Sequence, residues 1–210
     1  MSKQYTILLS FLVFFSFNAF TQERTLIKNP TELKKKLLNQ SDATKSIVSD
    51  FTQEKHVSFM KEAQISKGKF YYQQQNKMRW EQTSPHPYVL LINESKIRIK
   101  DNGREKDLKG ANKMMGKINK LMIGLINGEI FNSKDFESSY FSYSNTYIIV
   151  LKPKSKRLQS MFNTIELTFS KKTIRLNTLT FFEKSGDKSV MKFFNDKFNT
   201  SIKQSIFNTL

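Results

Sequence analysis

His56 and His86 are the only histidines in this 210-residue chain, and there is no cysteine. Neither histidine has partners at a metal-ligand spacing, so both read as surface or turn residues and no metal is expected. Ser84-Pro85-His86-Pro87 has the composition of a turn, not of a nucleophile beside its base. Gly103, Gly110, Gly116, Gly124 and Gly128 form no phosphate-cradling loop, and Asp42, Asp50, Glu54 and Glu62 fall on different elements. No catalytic residue, cofactor or enzymatic activity is expected. The chemistry these residue types suit is burial of hydrocarbon.

Met114, Met115, Ile118, Leu121, Met122, Leu125 and Ile126 recur at helical spacing, with Lys113, Lys117 and Lys120 on the opposite face. Unbranched, polarizable methionine adapts to irregular apolar partners, which suits a lid whose contacts change when a ligand enters. On the β-type runs, Phe51, Phe70, Tyr72, Met78, Trp80 and Leu91 are the side chains expected to face the same interior. The candidate apolar site is therefore Phe51, Phe70, Tyr72, Met78, Trp80 and Leu91 from the sheet, with Met114, Met115, Ile118, Met122 and Leu125 from the helix. Every one of them also suits a plain core, because in a curled sheet one face serves as both core and pocket.

Those side chains need a sheet and two helices to position them. Asn29-Pro30-Thr31-Glu32 predicts a helix start, with Asn29 as N-cap, Pro30 at the first helical position and Glu32 completing a capping box. Leu33, Leu37 and Leu38 lie on one side of this helix, which is expected to end between Asn39 and Ala43. Strands are predicted at 47–52, 63–73, 77–82, 88–92, 96–100, 135–144, 146–152, 163–170, 173–182 and 188–194. The one interruption is the helix at 112–127, which Asn127-Gly128 stops. In each of the pairs Phe181-Phe182 and Phe193-Phe194, one ring is expected to face outward. About ten or eleven antiparallel strands must pack as a sandwich or curl into a barrel, and a curled sheet of more than about eight strands encloses room for a ligand.

Lys3, an apolar run from Ile7 to Phe17 and the residues Asn18 to Thr21 have the shape of a secretory signal peptide, residues 1–21, cut after Ala19 or Thr21. The run is shorter than the roughly 20 residues a membrane-spanning helix needs. Residues 22–210 are then expected to form one domain, exported to the periplasm and not lipid-anchored. The formal charge of +17 favours anionic partners such as phospholipid headgroups or an acidic protein face, while export excludes nucleic acid. Its lysines are scattered, so a solvated surface accounts for them equally well.

Ser49-Asp50-Phe51-Thr52-Gln53, Gly68-x-Phe70-x-Tyr72, Met78-Arg79-Trp80-Glu81, Pro85 and the 91–99 stretch resemble the N-terminal half of the LolA family of periplasmic lipoprotein carriers. Leu151-Lys152-Pro153, the 165–169 strand, Asn199, Ile202 and Phe207 are similar to its C-terminal half. This resemblance implies a mainly β fold with α: an unclosed antiparallel β-barrel of about 11 strands with a helical lid over a hydrophobic cavity. It implies that acyl chains of lipoproteins enter from an inner-membrane lipoprotein-releasing transporter and pass to an outer-membrane acceptor, the carrier being a monomer. Two alternatives stay open: a carrier of glycolipid, phospholipid or pigment lipid, and a lipid-sensing regulatory module. In many members an arginine six residues before the tryptophan position tethers the lid. Gln74 stands there in this chain, and strand alternation turns the nearby Arg79 away from the face of Trp80.

Overall fold

The computed structural model describes residues 23–94, 96–107 and 121–210. The leader segment 1–21 and three candidate lid residues, Met114, Met115 and Ile118, lie outside the described residues. In chain order the elements are β1 (Thr25–Leu26), α1 (Thr31–Asp42), β2 (Ser46–His56), β3 (Gln64–Gln73), β4 (Lys77–Ser84), β5 (Tyr88–Asn93), β6 (Lys96–Asp101) and β7 (Arg104–Glu105). Then come α2, described over residues 121–126, a 3-10 turn (Glu129–Asn132), β8 (Phe136–Tyr143), β9 (Thr146–Pro153) and α3 (Lys156–Gln159). β10 (Phe162–Ser170), β11 (Leu176–Glu183), β12 (Lys188–Phe198) and α4 (Ser205–Asn208) complete the chain.

The twelve strands of the described residues form one antiparallel sheet in the order β1-β8-β9-β10-β11-β12-β2-β3-β4-β5-β6-β7. The two end strands, β1 and β7, do not pair with each other, so the curled sheet stays open. These two-residue edges account for the excess over the ten strands read from the sequence, being too short to leave a periodic signal. The long β12–β2 ladder, from Lys188↔His56 to Phe198↔Ile47, joins the two halves of the chain.

Helix α1 begins about one residue later than the capping pattern predicts. The Asn29 carboxamide oxygen accepts hydrogen bonds from the Thr31 backbone N–H at 3.2 Å and the Thr31 hydroxyl at 2.7 Å. Pro30 supplies the first helical carbonyl to the Lys34 N–H at 2.8 Å, and Glu32 makes no reciprocal bond to Asn29. Leu33 and Leu37 are buried against the concave face of the sheet, as their spacing predicts. Helix α2 stops at Gly128, whose φ of 77° is left-handed. A methyl group there would lie 3.0 Å from Leu38 Cδ2 and 3.1 Å from Ser41 Oγ, so glycine also lets the end of α2 pack closely against α1.

One large core fills the concave side, with Phe51, Trp80, Ile149, Leu151, Ile165, Leu167 and Leu179 from the sheet under α1 and α2. A second, smaller cluster lies on the outer face, where Phe207 of α4 packs onto Val89, Leu91 and Tyr71. Arg79 fastens this C-terminal segment. Its guanidinium donates to the Thr209 carbonyl at 2.5 Å and the Ile206 carbonyl at 3.3 Å, and it pairs with Glu81 at 2.8 Å. Among the described residues no helix is long and apolar enough to cross a membrane.

Candidate functional site

The concave face holds an apolar hollow of about 90 Å³ at the middle of the sheet. Consecutive strands β10, β11, β12, β2 and β3 form its floor through Phe169, Leu176, Leu179, Phe193, Ile47 and Phe70. Leu37 of α1 lies on one side, and Met122, Leu125 and Ile126 of α2, with Phe131 of the 3-10 turn, form the roof. The hydrocarbon lining follows from strand alternation: inward residues of each strand are apolar while their neighbours, such as Lys69 and Lys192, face water.

Below this hollow lies an aromatic nest. The Phe51 ring stacks on Trp80 with centroids 3.8 Å apart, and Phe70 and Phe193 meet the same indole at 6.0 and 6.3 Å. Gly68 makes that stack possible. It pairs with Phe51 across β2 and β3, and a Cβ at position 68 would lie 2.7 Å from Phe51 Cζ and 2.0 Å from the Glu81 carbonyl oxygen. The aromatic ring covers the space that the glycine leaves bare. Burial pushes the Tyr72 hydroxyl above its ordinary pKa, and the negative charge of Glu129 adds to the effect.

The hollow has one polar end, where α1, β2 and the end of β12 meet. Asn199 holds this corner: its carboxamide oxygen accepts from the Lys45 N–H at 2.7 Å, and its Nδ2 donates to the Ala43 carbonyl at 3.0 Å. Gln40 and Ser41 of α1 and Thr44 just beyond it reach the lining here, together with Ser49, Asp196 and Arg175. A β-bulge sets the direction of Asp196. Between Phe194↔Asp50 and Lys197↔Val48, two residues of β12 oppose Ser49 alone, and Asn195 takes a positive φ of 56°. The bulge restores inward orientation after Phe194, so Phe193, Asp196 and Phe198 all reach the hollow. The buried Ser49 hydroxyl donates to Asp196 Oδ1 at 2.5 Å. On the outer side, Asp50 accepts from Lys69 Nζ at 2.7 Å and Asn195 Nδ2 at 2.9 Å; these bonds hold its carboxyl below the usual carboxylate range.

Of the residues the sequence singles out, Phe70, Met122 and Leu125 line the hollow. Phe51, Tyr72, Met78 and Trp80 belong to the same core but lie outside that lining, Trp80 with 9% of its surface exposed. Leu91 is a correction. Strand alternation on β5 sends Leu90 and Ile92 into the concave core and turns Leu91 outward under Phe207. The strand reads as continuously apolar because both of its faces are covered. Phe181 and Phe193 face the core while Phe182 and Phe194 face out, as the paired rings predict. Residues 173–175 are not strand: they close the β10–β11 turn, and β11 starts at Leu176. Gln74 is exposed in the β3–β4 turn, and Arg79 is committed to the outer face, so neither tethers α2.

Sequence reasoning missed Ile47, Phe169, Ile174, Arg175, Leu176, Leu179, Asp196 and Phe198. Strand alternation at Phe169 and Phe193 was a usable signal for the floor. The bulge at Asn195 has none, since no glycine marks it. A second hollow, about 530 Å³ and more polar, opens between Gly124, Glu129, Asp135 and Arg157.

An open antiparallel barrel that clasps helices over an apolar hollow defines a class of proteins built around a hydrophobic interior on one side of a single sheet. Within that class the chain belongs to the family described as Outer membrane lipoprotein carrier protein LolA, which matches residues 42–209. No curated protein matches the chain in sequence. Among solved structures, a DUF1329 family protein from Desulfovibrio piger is 11% identical, with a TM-score of 0.47, over 85% of this chain and 97% of that one. A LolA superfamily protein from Nitrosomonas europaea is 10% identical, with a TM-score of 0.42, over 83% and 96%. The Pseudomonas aeruginosa MucA/MucB complex is matched at 10% identity and a TM-score of 0.42, over 82% of this chain and 58% of that one.

Proposed function

We infer that the protein is a periplasmic carrier that binds the acyl chains of lipoproteins in the concave hollow and moves them from the inner to the outer membrane. It acts without catalysis, as a monomer, between an inner-membrane lipoprotein-releasing transporter and an outer-membrane acceptor. The observation that carries this reading is the apolar hollow roofed by Met122, Leu125 and Ile126 of α2. Membership of the lipoprotein carrier family supports it.

Burying an acyl chain contributes about 0.8 kcal/mol per CH₂, so sequestering even part of a lipid makes a water-soluble complex favourable. The hollow of about 90 Å³ holds only a few water-sized groups, each of which needs about 10–15 Å³. Loading therefore requires α2 to lift from the sheet. Its apolar face and the incoming chains compete for the same surface on Phe70, Leu179 and Phe193, which makes release reversible. A second reading, a carrier of glycolipid, phospholipid or pigment lipid, is favoured by the absence of a lid-tethering arginine at Gln74 and Arg79.

Native mass spectrometry of protein purified from the periplasm without detergent, followed by organic extraction, tests both readings. Bound triacylated lipoprotein is the expected result. Free glycolipid or phospholipid would select the second reading, and a bare mass that takes up no added lipid would overturn both.

A further inference from the structure

We propose that the polar end of the hollow is a headgroup site, in which Arg175 fixes the anionic group, carboxylate or phosphate, of an amphiphile whose chain occupies the apolar part. The proposal rests on the carrier reading in its second form, with a non-protein amphiphile as cargo, since the acylated end of a lipoprotein carries no carboxylate or phosphate, and it adds the chemical class of the head.

Arg175 is the only cationic side chain that lines the hollow among the described residues. Its Cζ lies 3.9 Å from the centroid of the Phe198 ring, which also lines the hollow. A ring covers one face of a guanidinium, whereas the five N–H donors point outward in its plane and need acceptors of their own. Nε of Arg175 is buried without a hydrogen-bond partner, and no acceptor or carboxylate among the described residues binds the remaining donors. Three of the other arginines are spent on partners, Arg24 on Glu166, Arg79 on Glu81 and two carbonyls, and Arg98 on Glu105, and Arg104 and Arg157 lie away from this hollow. The one carboxylate of the lining among the described residues, Asp196, accepts from Ser49 and makes no ion pair with Arg175. The planar fork is thus stacked in place and left open, which matches how guanidinium recognises the paired oxygens of carboxylate or phosphate.

The backbone holds it there at a cost. Ile174, the residue before Arg175, adopts a left-handed φ of 56°, a conformation that β-branched residues avoid. The turn is fixed by the Ile174 N–H donating to the Ser170 carbonyl, and by the Ser170 N–H donating to the Arg175 carbonyl, both at 2.9 Å. Strain kept in this way concentrates where a side chain must be aimed. Here the result is that Ile174 and Arg175, neighbours in sequence, both line the hollow.

The test is calorimetric titration of the full chain with dodecanoate, dodecyl phosphate and dodecan-1-ol, which share a chain and differ in the head. Wild type is expected to bind at least one anionic amphiphile about tenfold or more tightly than the alcohol, the factor a single charge-assisted contact supplies. The tighter of the two identifies the source of the head. Arg175→Met should bring that affinity down to the level of the alcohol, and Arg175→Lys should retain part of the preference. Trp80 emission and the melting temperature verify that each variant is folded. Equal affinity for all three ligands, or an anionic preference that survives Arg175→Met, would overturn the headgroup site while leaving the carrier reading intact. Failure to bind even dodecan-1-ol would remove both.

Discussion

Gly68→Ala is the substitution whose consequence follows most directly from the structure. A strand interior ordinarily gains from this change, because alanine loses less backbone entropy than glycine on folding, by about 0.5–1 kcal/mol. At position 68 the added methyl would stand 2.0 Å from the Glu81 carbonyl oxygen and 2.7 and 2.8 Å from two atoms of the Phe51 ring. The nearest obstacle is main chain, so rotamer changes cannot relieve it; β3 and β4 must part, and Phe51 must shift from its stack on Trp80. Overpacking of this kind costs about 1–3 kcal/mol, and a backbone obstacle places the change near the upper value. About 3 kcal/mol lowers the melting temperature of a chain this long by about 6–12 °C. Trp80 is the only tryptophan, so its emission reports the aromatic nest without interference. Calorimetry and fluorescence on G68A should therefore show a lower melting temperature together with altered emission. A stabilised variant, or one melting within about 2 °C of wild type with unchanged emission, would refute the reasoning, since the entropy advantage of alanine would then be unopposed.

Phe207→Ala removes a fully buried ring and should cost about 3–5 kcal/mol. Because that ring sits on the outer face, the loss should appear as hydrogen exchange or proteolysis at residues 200–210, with uptake of apolar ligand by the concave hollow unchanged. Met122→Lys places an ammonium in the roof of the hollow, whose floor includes Phe70 and Leu179; lipid co-purification should vanish while the far-ultraviolet circular dichroism of the sheet persists. Acid should weaken the fold through Asp50. Lys69, and after it Asn195, favour its charged form, so the stabilisation is complete above the ordinary aspartate pKa of about 3.9 and is lost as pH falls through the lower folded value. In urea melts from pH 6 down to about pH 2, Asp50→Asn should show a shallower acid limb than wild type, and an identical limb would assign the acid sensitivity elsewhere.

The succession of strands along the chain and the identity of most inward residues were legible in the sequence because both depend on local rules, whereas the β12–β2 pairing that joins the two halves of the sheet was not. Alternation at Phe70 and Tyr72, Met78 and Trp80, and Ile165 and Leu167 states which face is buried, and Asn127-Gly128 states where a helix stops. What alternation cannot state is whether the other face is also covered. Leu91 was assigned to the interior because β5 is apolar throughout, yet the C-terminal segment, more than a hundred residues away in sequence, covers that second face through Phe207. The polar end of the hollow was equally out of reach. It depends on a bulge at Asn195 that shifts Asp196 by one position, and on the left-handed Ile174 that sets Arg175 beside it.

The sequence by itself determined a run of antiparallel strands with an amphipathic helix inserted among them, because periods of two and of 3.6 residues are written in the order of apolar side chains, while the open barrel was implied by the family resemblance and not by periodicity. Only the tertiary structure decided which members of that apolar set line empty space and which pack solid. Phe51 and Trp80 lie against each other at 3.8 Å over Gly68, while Phe70, Phe193 and Leu179 border the hollow beneath α2. The distinction is one of distance between elements that meet only on folding, and it is also why Arg175 ends at the polar end of an apolar hollow with its Nε unpaired.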